Sequence, residues 1–356
     1  MSHRFAPGWR IGHWSDEAAA TGCTVLLPPR GNVASCDVRG SSPSSRELEL
    51  LHPDRRLTEI HGIVLTGGSA FGLAAADGVV HWLADRDIGY QTGVARVPIV
   101  PAAVIFDLGC GSSDVRPGPE EGAAACDALA AEAIPTGRVG AGTGATVGKW
   151  AGVEHASPGG LGIALGRSGR SVVAALAVVN PVGDVIAEDG SVLAGTRSPD
   201  PRPRAPLAQD ESSGAVVPGN GGGSSAGAVS EDAGGSLGGA VSGDAGPPGG
   251  AVSGDAGSPG ADMPGGGTVA RSTVLAVVAT DARLDKRDAR WLASRGSDGI
   301  TISVRPAHTR YDGDVVFAVA AAGRAGGAEL DDLGRAATDA VAAAVRAAVA
   351  PWRRPL

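Results

Sequence analysis

The stretch "GGGTVARSTVLAVVATDARLDK", residues 265–286, opens as glycine spacer and closes as charged polar chain. Between them "TVLAVVAT" reads as a buried β-strand, because β-branched and small apolar residues run without interruption. Ser272 and Thr273 stand where the spacer stops and the strand begins. Such a pair is either a polar lead-in to the strand or holds a nucleophile that becomes a chain terminus. A hydroxyl is a weak nucleophile without a base. At a chain terminus its own α-amine, with a pKa of about 8, can serve as that base. The peptide bond before it must then be cut, and the same hydroxyl can do this by attacking the preceding carbonyl. A flexible segment before the bond and a rigid strand after it is the layout such a cut needs.

Residues 198–267, just upstream, are Pro, Gly, Ser, Ala and Asp with almost no large aliphatic side chains. A decaying repeat runs through them: "AVSEDAGGSLGG", "AVSGDAGPPGG", "AVSGDAGSPGA". One valine per unit cannot offset an ordering cost of roughly 1–2 kcal/mol per residue. Solenoid repeats carry several core positions each. The segment therefore reads as a long disordered insertion, a tether between residues 1–197 and 268–356.

The flanking parts are mixed. Upstream, "GCTVLLPP", "IHGIVLTGG", "VPIVPAAVIFDLG", "GGLGIALGR" and "SVVAALAVVNPVGDVI" read as strands, and "SAFGLAAADGVVHWLADRD" and "GPEEGAAACDALAAEA" as helices. Downstream, the order is strand, helix, strand, strand, helix: "TVLAVVAT", "DKRDARWLASRG", "GITISVRP", "DVVFAVAAA" and "AELDDLGRAATDAVAAAVRAAVA". Strands grouped between helices predict sheets covered by helical layers, an α+β arrangement.

Composition removes several function classes. The 356-residue chain carries a formal charge of −8 with no dense Lys/Arg block, so no nucleic-acid partner is expected. No apolar run reaches the length of a membrane span and no stretch has the pattern of a signal peptide, so a cytoplasmic chain without a membrane partner is expected. Four scattered cysteines without a CxxC, and seven histidines without metal spacing, predict reduced thiols and no metal. Lys149 and Lys286 are the only lysines, a bias that reads as GC-rich coding.

Two motifs imitate chemistry. "AGTGATVGKW" resembles a phosphate loop, but Thr143 stands where glycine is needed and Trp150 where a magnesium-binding hydroxyl is needed. "TGGSAFG" resembles a nucleophile elbow with Phe71 in place of the second glycine, so Ser69 is expected to cap the next helix. Thr66, Gly67, Gly68 and Ser69, with Gly142, Thr143 and Gly144, remain candidates for a pocket wall. Their turn amides are a fallback oxyanion hole. His61 and His81 read as packed residues, and His308, just before "TRYDGD", as a possible pocket residue.

Several strings resemble the L-aminopeptidase/D-esterase family, which includes the β-peptidyl aminopeptidases. "LTGGSAFGLAAADG" and "GAGTGATVGK" are the most specific, and "VVNPVGDV", "STVLAVVATDARLDK" and "HTRYDGDVVFAVA" follow in family order. The resemblance implies a four-layer αββα sandwich of the N-terminal-nucleophile-hydrolase type, formed jointly by residues 1–197 and 268–356. It implies self-cleavage that frees a nucleophilic Ser or Thr. Counting back from Ala279-Thr280-Asp281 places the nucleophile at Thr273, with Ser272 as the alternative and the cut between the two. Ser272 stands where the family usually has Asn or Gly. The resemblance further implies Asn180 in the oxyanion hole and Asp312 and Asp314 beside the nucleophile, Asp314 holding the α-ammonium and Asp312 orienting neighbours. It implies a small peptide or amide substrate, no cofactor, and a homo-oligomer of processed heterodimers. The family's tyrosine donor has no counterpart in "EEGAAAC". The rival readings are a non-catalytic scaffold that never cuts itself, and a nucleotide-binding protein using residues 140–149.

Overall fold

The computed structural model describes residues 3–200, 272–321 and 329–350. The expected tether, apart from 198–200, lies outside these residues. So does Pro351, the expected stop of the last helix.

Ten strands build two five-stranded sheets. In chain order they are β1 (Arg10–Asp16), β2 (Thr21–Leu27), β3 (Val33–Val38), β4 (Ser45–Arg46), β5 (Ile63–Thr66), β6 (Ala102–Val104), β7 (Gly160–Ser168), β8 (Ser171–Asn180), β9 (Thr273–Thr280) and β10 (Val315–Ala320). One sheet runs β1-β2-β5-β6-β4 and the other β7-β8-β9-β10-β3. Four helices cover them: α1 (Ala75–Ala84), α2 (Pro119–Asp127), α3 (Lys286–Ser303) and α4 (Leu330–Val349).

Three apolar layers separate the four structural layers. Leu26, Ile63 and Leu65 of the first sheet meet Leu176, Leu275, Val277 and Phe317 of the second in the central core. Val25, Val64 and Ala102, on the opposite face of the first sheet, pack on α1 and α2 through Val79, Leu83 and Ala125. Val274, Ala276, Val278 and Val316 pack on α3 and α4 through Leu292, Ile300 and Val341. The period-2 alternation of a strand thus sends Leu275 and Val277 to one core and Val274 and Ala276 to the other. All eight residues of β9 are buried, which explains why its sequence is continuous rather than alternating. This is the expected αββα sandwich. The alanine-rich face of α4 lets the helix settle close to β7, where a Cβ on Gly162 would come within 2.1 Å of the Ala344 carbonyl.

Three local readings need correction. "GITISVRP" is not a strand. Most of it is the last turn of α3, and only Val304–Arg305 pairs, with Asp184 and Val185. Gly299 lies against the backbone of α4, and Ile300 is buried in the helix-facing core. Thr301 and Ser303 donate to the carbonyls of Ser297 and Gly299 one turn back. Tertiary packing and these hydroxyl bonds overrule β-branched propensity. Ser69 is not a helix cap: Gly68 precedes a short 3-10 turn, Ser69–Ala74, without a side-chain cap. His81 is exposed rather than packed, whereas half-buried His61 accepts from the Ile99 amide.

Candidate active site

Thr273 is the first residue of β9, and its register partner across the ladder is Asn180, the last residue of β8. The strand ends thus bring together two residues 93 positions apart in the chain. In the uncut chain the Thr273 hydroxyl donates to the carbonyl of Ser272, the residue before the expected cut. The same carbonyl accepts from the Gly313 amide at 2.9 Å, and the Ser272 amide donates to the Tyr311 carbonyl at 3.2 Å. Ser272 is therefore bridged in parallel to Asp312. The Ser272 carbonyl is thus held and polarised by two donors, the Thr273 hydroxyl and the Gly313 amide.

Asp312 and Asp314 flank that glycine and both are buried. Asp314 Oδ1 accepts from the Val274 amide at 2.6 Å, one residue beyond Thr273. Its Oδ2 pairs with His308 Nδ1 at 2.7 Å. His308 Nε2 reaches the Thr301 hydroxyl at 3.1 Å on α3. Burial opposes a charge on His308, but the hydrogen bond and negative charge of Asp314 outweigh it and raise the imidazole pKa. Asp312 Oδ2 accepts from the Thr309 amide at 2.7 Å and Oδ1 from the Val182 amide at 3.4 Å. Burial, then the nearby Asp314 charge, push the Asp312 carboxyl above its ordinary range. Asp314 thus braces the start of β9, and Asp312 ties the "TRYDGD" loop to the turn after Asn180.

Asn180 is fully buried and its amide orientation is set by its partners. Oδ1 accepts from the Thr146 amide at 2.9 Å and from Lys149 Nζ at 2.8 Å. Nδ2 donates to the Phe106 carbonyl at 3.1 Å, leaving its second proton for another acceptor. Lys149 also donates to the Asn180 backbone carbonyl at 3.0 Å. Burial lowers the Lys149 pKa to about 7, against the opposing pull of Cys110, Asp312 and Asp107. Sequence reasoning met Lys149 only as a failed phosphate-loop lysine. Here its ammonium is spent on Asn180, inside the protein.

The amides of the two glycine turns are bonded within the protein. The amides of Gly67 and Ser69 donate to the carbonyls of Gly22 and Ile105. Gly68 donates to Asp107 Oδ1 at 2.7 Å, while Thr21 donates to Oδ2 at 2.8 Å. The Thr66 hydroxyl turns to the Gly67 carbonyl. The amides of Gly142 and Thr143 close their own turn onto Val139 and Gly140. Gly144 packs on Asp107, where a Cβ would lie 2.7 Å from the Asp107 Cβ. The fallback oxyanion donors of Gly67, Gly68, Ser69, Gly142 and Thr143 are thus already used. Asp107, which the sequence did not single out, is their common support.

The model of peptidase family S58 matches residues 6–351. An uncharacterized aminopeptidase of Mycobacterium tuberculosis is 34% identical over 322 residues, covering 88% of this chain and 79% of that protein. A 6-aminohexanoate-oligomer endohydrolase of Agromyces is 35% identical over 191 residues, 53% of this chain and 50% of that one. Among solved structures, the L-aminopeptidase D-Ala-esterase/amidase of Ochrobactrum anthropi, described as a variant of the Ntn-hydrolase fold, aligns with a TM-score of 0.62. It is 18% identical and covers 97% of this chain and 84% of that one. A β-aminopeptidase of Burkholderia aligns with a TM-score of 0.60 and 19% identity, covering 98% and 87%. These last two likenesses concern the fold.

Proposed function

The chain belongs to peptidase family S58, and from that premise we propose that this amide-bond hydrolase activates itself by cutting before Thr273 and then acts as an aminopeptidase or amidase. The observation that carries the reading is the Thr273 hydroxyl lying against the Ser272 carbonyl, which Gly313 polarises from the other side. Oγ attacks that carbonyl carbon, the C–N bond breaks, and the proton passes to the Thr273 nitrogen. Water hydrolyses the resulting ester, leaving a carboxylate on Ser272 and an α-amine on Thr273. That amine is then the base for Thr273 Oγ when a substrate amide at a free N-terminus is attacked. The remaining Nδ2 proton of Asn180 meets the oxyanion, in an orientation that Lys149 and Thr146 maintain. Asp314, which accepts from the Val274 amide next to Thr273, holds the start of β9 and takes up the new ammonium. A peptide or small amide is the substrate class, and a cytoplasmic oligomer of processed pairs is the expected assembly.

The nucleotide reading loses its support, since Lys149 is enclosed by Asn180 rather than open to a phosphate. The scaffold reading is separated by experiment. Intact mass and N-terminal sequencing of purified protein should give two fragments, the smaller beginning Thr-Val-Leu-Ala, and Thr273→Ala should give one uncut chain. A fragment beginning at Ser272 would move the nucleophile. A wild-type chain that stays whole and inert would favour the scaffold.

A further inference from the structure

Ser272 is more than the residue left behind by the cut. It is held by its main chain alone. Its amide donates to the Tyr311 carbonyl and its own carbonyl accepts from Gly313. The residue is 2% exposed, and its hydroxyl is buried without a hydrogen-bond partner. The position therefore recognises one residue's N–H and C=O and a small side-chain volume, but not a hydroxyl.

The ester formed during self-cleavage joins an acyl carbon to Thr273 Oγ. The acyl-enzyme formed from a substrate is the same bond on the same oxygen, so the site must accept both acyl residues in one place. We infer that the substrate's acyl residue replaces Ser272 in this single parallel rung, its nitrogen donating to the Tyr311 carbonyl and its carbonyl accepting from the Gly313 amide. The inference rests on the self-processing reading above. Two consequences follow from the geometry. The acceptor, the Tyr311 carbonyl, and the donor, the Gly313 amide, flank a single residue, Asp312, so they match the N–H and C=O of one α-amino acid. A β-amino or 6-aminohexanoyl backbone separates those groups by extra methylenes and can satisfy only one of them. The buried side-chain position, in turn, accepts alanine or serine and rejects large residues.

The test needs only the full-length protein. Processed wild-type enzyme is assayed on alanyl, seryl, leucyl, phenylalanyl, β-alanyl and 6-aminohexanoyl p-nitroanilides. Alanyl and seryl compounds should react at comparable rates, and the other four should show kcat/KM at least about tenfold lower. In parallel, self-cleavage half-times of Ser272→Ala, Ser272→Leu and Ser272→Phe are followed by mass. Ser272→Ala should cut as fast as wild type, and the two large replacements should cut at least about tenfold more slowly. A processed enzyme that favours leucyl, β-alanyl or 6-aminohexanoyl compounds overturns the subsite while leaving self-processing intact. So does a Ser272→Leu chain that cuts at the wild-type rate. The substrate series decides the matter even where a Ser272 variant folds poorly. A wild-type chain that neither cuts nor hydrolyses any anilide removes the self-processing reading and the subsite with it.

Discussion

Two glycine-bearing turns spend their backbone amides in opposite ways. In the Thr66–Ser69 turn the amides of Gly67, Gly68 and Ser69 face inward, onto two carbonyls and the Asp107 carboxylate. In the Asp312–Asp314 turn the glycine amide faces the Ser272 carbonyl, and a carboxylate fixes the amide next to Thr273. The first spends its donors on holding the sheet end together. The second keeps a donor on the carbonyl that the proposed cut would attack. A glycine-rich string that marks a family can therefore be structural, while a plainer tripeptide lies against the proposed site.

Three substitutions probe this division. Asp107→Ala should have the largest effect, and on stability. It leaves the Gly68 amide and the Thr21 hydroxyl buried without partners, at roughly 1–3 kcal/mol each. A melting temperature within a degree of wild type would break the contrast, because the first turn would then not be structural. Asn180→Ala should act on the barrier instead, lowering kcat about 10²–10³-fold with a smaller change in KM. It is best measured on separately expressed halves, with Thr273 released by an external protease, since Asn180 can also serve the self-cleavage step. A raised KM with unchanged kcat would make Asn180 a binding residue. His308→Ala should have the smallest effect, about 1–2 kcal/mol, and only over part of the pH range. The folded-state pKa of His308 is raised by Asp314, so the pair's stabilisation is complete below the unfolded value near 6.5 and is lost as pH rises through the folded value. The wild-type advantage in melting temperature should therefore be larger at pH 6 than at pH 9. An equal or reversed difference would mean that the His308–Asp314 contact is not ionic.

The framework was readable because its signals are two-sided. "TVLAVVAT" is a strand from end to end, since both its faces meet a core. "GITIS" carries the same β-branched signal and is helical, because what decides it is the backbone of α4 lying against Gly299. The family strings led to Thr273, Asn180, Asp312 and Asp314, which the structure gathers around one peptide bond, with His308 behind Asp314. Lys149 and Asp107 were missed, and for Lys149 a signal existed. In a chain whose cations are otherwise all arginine, a retained lysine marks a place where a planar guanidinium does not serve. Both lysines are buried and bonded to carbonyl oxygens, Lys286 to those of Leu50, Arg55 and Leu57. Asp107 offered no such signal, because its partners lie 39 and 86 positions away.

In the second sheet, β9 and β10 lie side by side, with β8 against one flank and β3 against the other. Both neighbours come from the chain upstream of Ser272. A break before Thr273 would therefore divide the molecule through the middle of a continuous ladder rather than at its margin. The two pieces would be a heterodimer whose interface is the interior of a domain, and neither could leave without opening a ladder on each side. Unfolding, a one-body event in the intact chain, would become a dissociation governed by mass action, so that dilution alone erodes the stability of the cut form.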